Sequence, residues 1–183
     1  MLHVLWGVLP TPKTGDGRVL AGLVIVLPPR VGERVKREAE RLGVTVEEYI
    51  IELVEREADP RERALDYIEA ASLLLGQARG ELGRGDHRQA AEKIWGAVAL
   101  AVKAYAAWRD GRRLASHGEL WEYKDVVARE LGEWIGRVFR EANSLHTCFY
   151  EGWCTRRDVE AVLAEAEKLV EEIRARIEHS RKH

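Results

Sequence analysis

Apolar residues recur with helical spacing through the last two thirds of this chain. From residue 59 onward, positions three or four apart are apolar over long stretches, which is the period of an amphipathic helix. The first stripe ends at the glycines of "GRGD" and comprises Leu65, Ile68, Ala71, Leu75, Ala78 and Leu82. The second lies in "HRQAAEKIWGAVALAVKAYAAWRDG" and comprises Ile94, Val98, Ala101, Tyr105 and Trp108. Each stripe predicts a long helix that buries one face.

Capping residues mark where these helices begin. Asp59 before Pro60 is a helix start with proline at the first helical position, and Asp86 is placed to cap the next helix. Ser116 and Glu119 form a capping box at the start of "HGELWEYKDVVARELG". These signals predict short connections between the helices.

The third periodic segment continues past two glycines, Gly132 and Gly136. Its apolar positions there are Trp134, Ile135, Val138, Phe139, Ala142 and Leu145. Thr155 and Asp158 cap a last segment, "RRDVEAVLAEAEKLVEEIRARIEH". We therefore expect four long helices in an antiparallel bundle of about 120 residues, spanning residues 59–183.

Residues 1–58 have a different character and form a separate predicted segment. The run "LVIVLPP", residues 23–29, is β-branched and predicts a strand, which "MLHVLWGVL" could pair with as a hairpin. A charged amphipathic helix, "RVGERVKREAERLG", follows and stops at Gly43. A second helix, "TVEEYIIELVERE", opens with a capping box of Thr45 and Glu48.

Composition narrows the function classes. Charged residues make up 33% of the chain but nearly cancel, to a net charge of −2, so no global positive field attracts nucleic acid. The start lacks a basic n-region and cleavage site, and the longest apolar run is far shorter than the ~20 residues that span a bilayer. We expect a cytoplasmic protein without membrane contact. Metal-ligand spacing is absent, and we expect no cofactor.

The N-terminal order of strand, helix, glycine turn and helix, in "VLPPRVGERVKREAERLGVTVEEYIIELV", resembles the ribbon-helix-helix family. The resemblance implies that two chains pair and that polar strand residues read DNA bases. Residues 23–27 are instead apolar on both faces, and Glu47 and Glu48 would repel a phosphate at the second helix. We interpret the segment as a dimerisation or packing element. A DNA-binding regulator remains an alternative, tested through Arg30 and Arg34.

The candidate catalytic residues are Arg140, Asn143 and His146, in "FREANSLH". Histidine titrates near neutral pH and suits proton transfer, arginine suits a phosphate, and Asn143 could donate to a phosphate oxygen. The spacing alone is common, since four of the six histidines follow an arginine in this way.

Helical geometry sets a condition on this site. In an unbroken helix His146 lies about 120° from Arg140, so catalysis predicts a bend near Ser144 or groups from a second subunit. If His146 is buried and bonded within one bundle, the ribonuclease interpretation loses its base. His117, beside a capping serine at a helix start, is either a candidate binding residue or a surface residue next to the cap.

The aromatic and sulfur-containing residues have two interpretations each. Phe149, Tyr150 and Trp153 are candidates for stacking on a ligand or for filling a core or dimer seam. Cys148 and Cys154 are expected to be small buried groups, and a local bridge between them stays open.

Three strings together resemble the archaeal PaREP family, a branch of the HEPN-like helical bundles: "AAEKIWGAVALAVKAYA", "LASHGELWEY" and "ANSLHTCFYEGW" before the last helix. HEPN proteins are typically dimers, and many are metal-independent ribonucleases of toxin–antitoxin or defence systems. The resemblance implies a site at Arg140, Asn143 and His146. Glu141 stands where that motif has its polar residue, and an acid there opposes phosphate binding.

The sequence thus predicts a mainly α protein, a HEPN-like bundle after a ribbon-helix-helix-like segment. Its first predicted function is a metal-independent ribonuclease at a homodimer interface. The alternatives are a non-catalytic assembly module that binds a nucleotide or protein, and the DNA-binding regulator. The expected partners are a second copy of the chain, RNA or a nucleotide, and an antitoxin or nucleotidyltransferase.

Overall fold

A computed structural model describes residues 26–179, apart from the side chain of Arg56. Over this range the chain forms seven α-helices and one 3-10 turn, Glu55–Glu57. The helices are α1 (Pro29–Leu42), α2 (Val46–Val54), α3 (Pro60–Arg84), α4 (His87–Asp110), α5 (His117–Leu131), α6 (Trp134–Glu151) and α7 (Arg156–His179). The mainly α prediction is therefore confirmed.

The strand predicted for residues 23–29 is wrong where the structure describes it. Residues 26–28 have no regular structure, and Pro29 is already the first residue of α1. Proline fixes φ near the helical value and lacks an N–H that the first turn leaves unbonded, so it suits a helix start better than a strand end. The rest of the predicted hairpin lies outside the described residues.

The turn between α1 and α2 follows its sequence signals. Gly43 ends α1 in the left-handed conformation, at φ 69°, and its N–H reaches back to the last carbonyls of the helix. Thr45 Oγ1 accepts from the Glu48 N–H at 3.1 Å, which is half of the predicted capping box. The Glu48 carboxylate lies 2.7 Å from Lys103 Nζ instead, inside the protein.

The predicted helix starts at residues 59, 86, 116 and 155 are confirmed. Asp59, Asp86 and Ser116 accept backbone N–H bonds at the starts of α3, α4 and α5, and Ser116 with Glu119 forms the complete capping box. Thr155 Oγ1 accepts from the Asp158 N–H at 3.2 Å at the start of α7.

The expected third long helix is two helices, so this region has five helices rather than four. Gly132 separates α5 from α6 with φ +118°, a value that side-chain-bearing residues rarely adopt. A Cβ atom there would also lie 2.9 Å from Trp134 Cδ1. The apolar period runs across the break because α5 and α6 both pack their apolar faces on the bundle.

α4 is the central helix of the bundle and packs against α3, α5, α6 and α7. Nearly every residue from Ala90 to Ala107 is buried, and Trp95 is the largest fully buried side chain. Alanines and Gly96 allow the surrounding helices to approach closely.

A buried ionic network attaches α2 to the bundle. Lys103 Nζ on α4 lies 2.7 Å from a carboxylate oxygen of Glu48 and 2.7 Å from one of Glu52. Arg113 Nε and the Tyr67 hydroxyl also donate to Glu52, both at 2.8 Å. Burial alone would lower the pKa of Lys103, but the two carboxylates outweigh it and raise that pKa.

A disulfide joins Cys148 in the last turns of α6 to Cys154 before α7, with their Cα atoms 5.3 Å apart. Both cysteines are buried, as expected. No helix between residues 26 and 179 is long and apolar enough to cross a membrane.

Candidate functional site

Two histidines from different helices meet on one tryptophan. His117 is the first residue of α5, and His146 lies in the second half of α6. Their rings lie 5.4 Å and 5.6 Å from the ring of Trp95 on α4, at interplanar angles of 43° and 33°. Three helices therefore bring two titratable imidazoles to one place.

A carboxylate orients one of these imidazoles. His146 Nδ1 lies 2.8 Å from Glu92 Oε2, and the two side chains are 15% and 12% exposed. Glu92 precedes Trp95 by three residues on α4, so both side chains face the same way. An ionised carboxylate only accepts, so Nδ1 carries the proton and Nε2 is the nitrogen left for other chemistry.

The surroundings of His117 favour the neutral form of its ring. Burial, and then the charge of His146, lower the pKa of His117 below its usual value. A hydrogen bond with the Asn143 side chain and the charge of Glu48 act in the opposite direction but do not outweigh them. We call Glu92, Trp95, His117, Asn143 and His146 the histidine cluster.

Aromatic rings surround the histidine cluster. Phe139 packs edge-on against Trp95 and Trp121, with centroids 5.4 Å and 5.3 Å apart. Tyr150 stands edge-on to His146 at 5.1 Å and is 49% exposed. The fully buried Trp95 Nε1 has no hydrogen-bond partner among residues 26–179.

Arg140 lies apart from the histidine cluster. α6 is helical throughout, so the predicted bend near Ser144 is not present, and Arg140 is about 9 Å along the axis from His146. The Arg140 side chain is exposed and turns back toward Gly136. Its Nη1 atom lies 3.4 Å from the position that a Cβ atom on Gly136 would occupy. The structure therefore brings Asn143 and His146 together with His117, but not with Arg140.

Two other cations bear on this region. Arg88 at the start of α4 donates to the Phe149 carbonyl and lies 5.1 Å from the Phe149 ring centre. It supplies a positive charge to the last turn of α6, which has no basic residue of its own there. Arg137 Nη1 lies 3.3 Å from a carboxylate oxygen of Glu141. The carboxylate that we expected to oppose phosphate binding is therefore paired with a cation.

The N-terminal helices border this end of the bundle. Burial raises the pKa of Tyr150, and the charges of Glu92 and of Glu40 on α1 raise it further. The charge of Glu48 on α2 acts on His117. Shallow depressions elsewhere, on the outer face of α7 and at the start of α1, contain none of the cluster residues.

Sequence reasoning missed Glu92 and Trp95. One feature of the sequence could have identified them. An acidic residue lies three positions before a tryptophan, on a helix whose alanine-rich pattern predicts burial. Trp153 is 54% exposed, and Phe149 is partly buried against Tyr150. Within the part of the chain that the structure describes, no group of three or more metal-binding side chains converges.

Comparisons with known proteins bear on the family alone. No curated protein and no solved structure matches the chain significantly. The family model of the archaeal PaREP1/PaREP8 family matches residues 66–170, which is more than half of the chain and contains the whole histidine cluster. The predicted resemblance is thereby confirmed, and the chain belongs to the archaeal PaREP1/PaREP8 family.

Proposed function

We propose that the histidine cluster is the acid–base centre of a metal-independent ribonuclease. The observation that carries the proposal is the pair of imidazoles on Trp95, of which one is held by a carboxylate and the other has a lowered pKa. Cleavage of RNA without a metal needs one neutral base and one protonated acid. Two titratable groups in different environments can supply both at the same pH.

The environments assign the two roles. His117, with its lowered pKa, is the neutral base that takes the proton of a ribose 2′-hydroxyl. The 2′-oxygen then attacks phosphorus, and the bond from phosphorus to the 5′-oxygen breaks. His146, held by Glu92 at 2.8 Å, is the acid that gives a proton to that leaving oxygen. The products are a 2′,3′-cyclic phosphate and a 5′-hydroxyl.

This assignment replaces the arrangement predicted around Arg140. His146 is bonded to Glu92 within one bundle, which is the condition under which it could not serve as the base. Asn143 orients His117, and Arg140, about 60° from Asn143 around α6, would contact a flanking phosphate. All cluster residues come from one chain, so the proposed chemistry needs no residue from a partner copy.

The test is cleavage of single-stranded RNA at neutral pH in EDTA. His117→Ala and His146→Ala should each lower the rate by roughly 100-fold or more, as loss of a general acid or base does. Glu92→Gln should lower it by about 10-fold, since an orienting partner is lost. Arg140→Ala should raise KM and leave kcat nearly unchanged.

His87→Ala is the matched control, because this half-buried histidine contacts the Gly85 carbonyl of its own turn and lies outside the cluster. Cleavage that survives both His117→Ala and His146→Ala, with helicity intact, would assign the activity to other residues or to a contaminant.

A non-catalytic binding module is the second candidate. The exposed rings of Tyr150 and Trp153, together with Arg88 against Phe149, are the residue types enriched at binding surfaces. A nucleotide, an antitoxin or a nucleotidyltransferase would bind there. Absence of RNA cleavage by the wild-type protein, with nucleotide binding that Tyr150→Ala or Trp153→Ala weakens, would favour this candidate.

Several interpretations of the sequence stay predictions. They are the DNA-binding regulator, the toxin or defence role, the cytoplasmic location, and the HEPN-like and ribbon-helix-helix-like relationships. The division into two domains at residue 59 also stays a prediction.

A further inference from the structure

We infer that Tyr150 stacks on the base of the nucleotide on the 3′ side of the cleaved bond. The site then recognises a base at that position of the RNA strand. This inference rests on the proposed function and deepens it, because it states which part of the substrate the protein binds beside the histidine cluster.

Tyr150 and His146 lie on one face of α6. They are four residues apart, so their side chains are neighbours on the helix surface. Their ring centres are 5.1 Å apart and the ring planes are perpendicular, at 89°. The His146 side chain is 15% exposed, whereas Tyr150 is 49% exposed. The tyrosine ring therefore lies against the proposed acid and at the protein surface, where a base can reach it.

The role of His146 sets which base this is. In the proposed reaction His146 gives its proton to the leaving 5′-oxygen, which belongs to the nucleotide on the 3′ side of the cleaved bond. A single ribose joins that oxygen to the base of the same nucleotide. The base on the 5′ side is attached instead to the ribose whose 2′-hydroxyl faces His117. A ring in contact with His146 is therefore placed for the 3′ base.

The rings on the His117 side of the cluster are less available for stacking. Among residues 26–179, the exposed aromatic side chains are Tyr150 and Trp153. Trp121 lies 6.3 Å from His117, but it is half-buried, and Lys124 Nζ already lies 5.1 Å from its ring centre. We therefore expect the base on the 5′ side to contribute less to binding.

Tyr150 lies on a turn that two contacts hold in place. The disulfide between Cys148 and Cys154 closes the stretch of chain that contains it. Arg88 on α4 donates to the carbonyl of Phe149, the residue before Tyr150. A ring that is already fixed loses little conformational freedom when a base stacks on it, which favours binding. Since every base has a π face, such a contact recognises the presence of a base more than its identity.

The first test uses DNA oligonucleotides that contain one ribonucleotide. Only that nucleotide has the attacking 2′-hydroxyl, so the cleaved bond is fixed. An abasic residue is placed either directly 3′ of this bond or at the ribonucleotide itself. With the wild-type protein, the 3′ abasic residue should raise KM about 10-fold and leave kcat nearly unchanged, because one stacked base is lost. The abasic ribonucleotide should leave KM nearly unchanged.

Variants of the two exposed rings separate stacking from packing. Tyr150→Leu keeps apolar bulk but removes the π face, so it should lower kcat/KM for the intact substrate about 10-fold and abolish the response to the 3′ abasic residue. Tyr150→Phe should behave like the wild type. Trp153→Leu is the matched control, since this ring is 54% exposed but follows the end of α6, and it should keep the full response.

A binding measurement tests the contact without cleavage. The same oligonucleotide made only of DNA, with 2-aminopurine at the 3′ position, cannot be cleaved. Its fluorescence should be quenched by the wild type and by Tyr150→Phe, but much less by Tyr150→Leu. Cleavage that needs both histidines but responds equally to the two abasic residues, or a Tyr150→Leu variant that keeps the full response, would overturn this inference alone. A wild type that cleaves no RNA would overturn the proposed function as well.

Discussion

Thr45 fills the space above Gly96. A Cβ atom on Gly96 would lie 2.9 Å from Thr45 Cγ2 and 3.1 Å from Leu74 Cδ1. Gly96 follows Trp95 in α4, so the N-terminal segment rests on the bundle directly beside the histidine cluster. The close approach of this segment and the position of the cluster therefore depend on the same turn of α4.

The first prediction concerns this contact. Gly96→Ala should lower the free energy of unfolding by about 1–2 kcal/mol, because the steric cost exceeds the gain in helix propensity. Gly76→Ala in α3 is the matched control, since nothing lies within 4 Å of its Cβ position, and it should stabilise the protein by up to about 1 kcal/mol. Urea unfolding measures both. An equal increase in the free energy of unfolding of both variants would contradict the prediction, because it would show that the Thr45 side chain moves aside.

The second prediction concerns the network that holds α2. Lys103→Met should destabilise the protein by about 3–5 kcal/mol, because it leaves the buried carboxylate of Glu48 without its cation, whereas Glu52 keeps Arg113. Adding Glu48→Gln should recover part of this loss. Lys168→Met, at an exposed ion pair with Glu165, should leave the melting temperature unchanged. Similar melting temperatures for Lys103→Met and wild type would contradict the prediction.

The third prediction concerns the pH dependence that His117 contributes. Its pKa is lower in the folded protein than its unfolded value of about 6.5, so the unfolded chain binds more protons between the two values. This contribution to stability is complete above about pH 6.5 and is lost as the pH falls toward the folded pKa.

NMR titration of the His117 ring measures this shift. His146→Gln should raise the pKa of His117, because the charge of His146 is removed, and Asn143→Ala should lower it further, because a hydrogen bond that raises it is lost. An unchanged His117 titration in both variants would show that the two rings and Asn143 are not coupled.

The fourth prediction concerns the disulfide. Reduction, or Cys148→Ala with Cys154→Ala, should lower the free energy of unfolding by about 2 kcal/mol, as expected for a short closed loop. The last turn of α6 should then exchange its amide hydrogens faster, and the contact of Tyr150 with His146 should loosen. Hydrogen exchange of residues 147–151 measures this directly, with residues 94–104 of α4 as the internal reference. Equal protection before and after reduction would contradict the prediction.

Helix starts and stops were largely predictable because caps are local. Thr45, Asp59, Asp86 and Ser116 each bond a backbone N–H two or three residues away, so the signal and the structure lie in the same short stretch. The break at Gly132 was missed because the helical period continues across it. The strand before Pro29 failed because a β-branched run alone cannot show that a proline will begin a helix.

The candidate site was only partly predictable. His117, Asn143 and His146 were identified as candidates, but their joint position on Trp95 depends on how α4, α5 and α6 pack. Spacing linked Arg140 with His146, whereas an unbroken α6 turns them to different sides. The partner of His146 proved to be Glu92, which lies 54 residues earlier in the chain.

By itself, the sequence determined the helical class, the capped helix boundaries and the family, because these follow from patterns within a few turns of chain. Only the tertiary structure decided that Glu48 and Glu52 face inward while Leu53 faces water, and that two histidines share one tryptophan. The physical reason is the same in both cases. The free energy of a buried charge or ring depends on its partner, and here each partner comes from a distant segment.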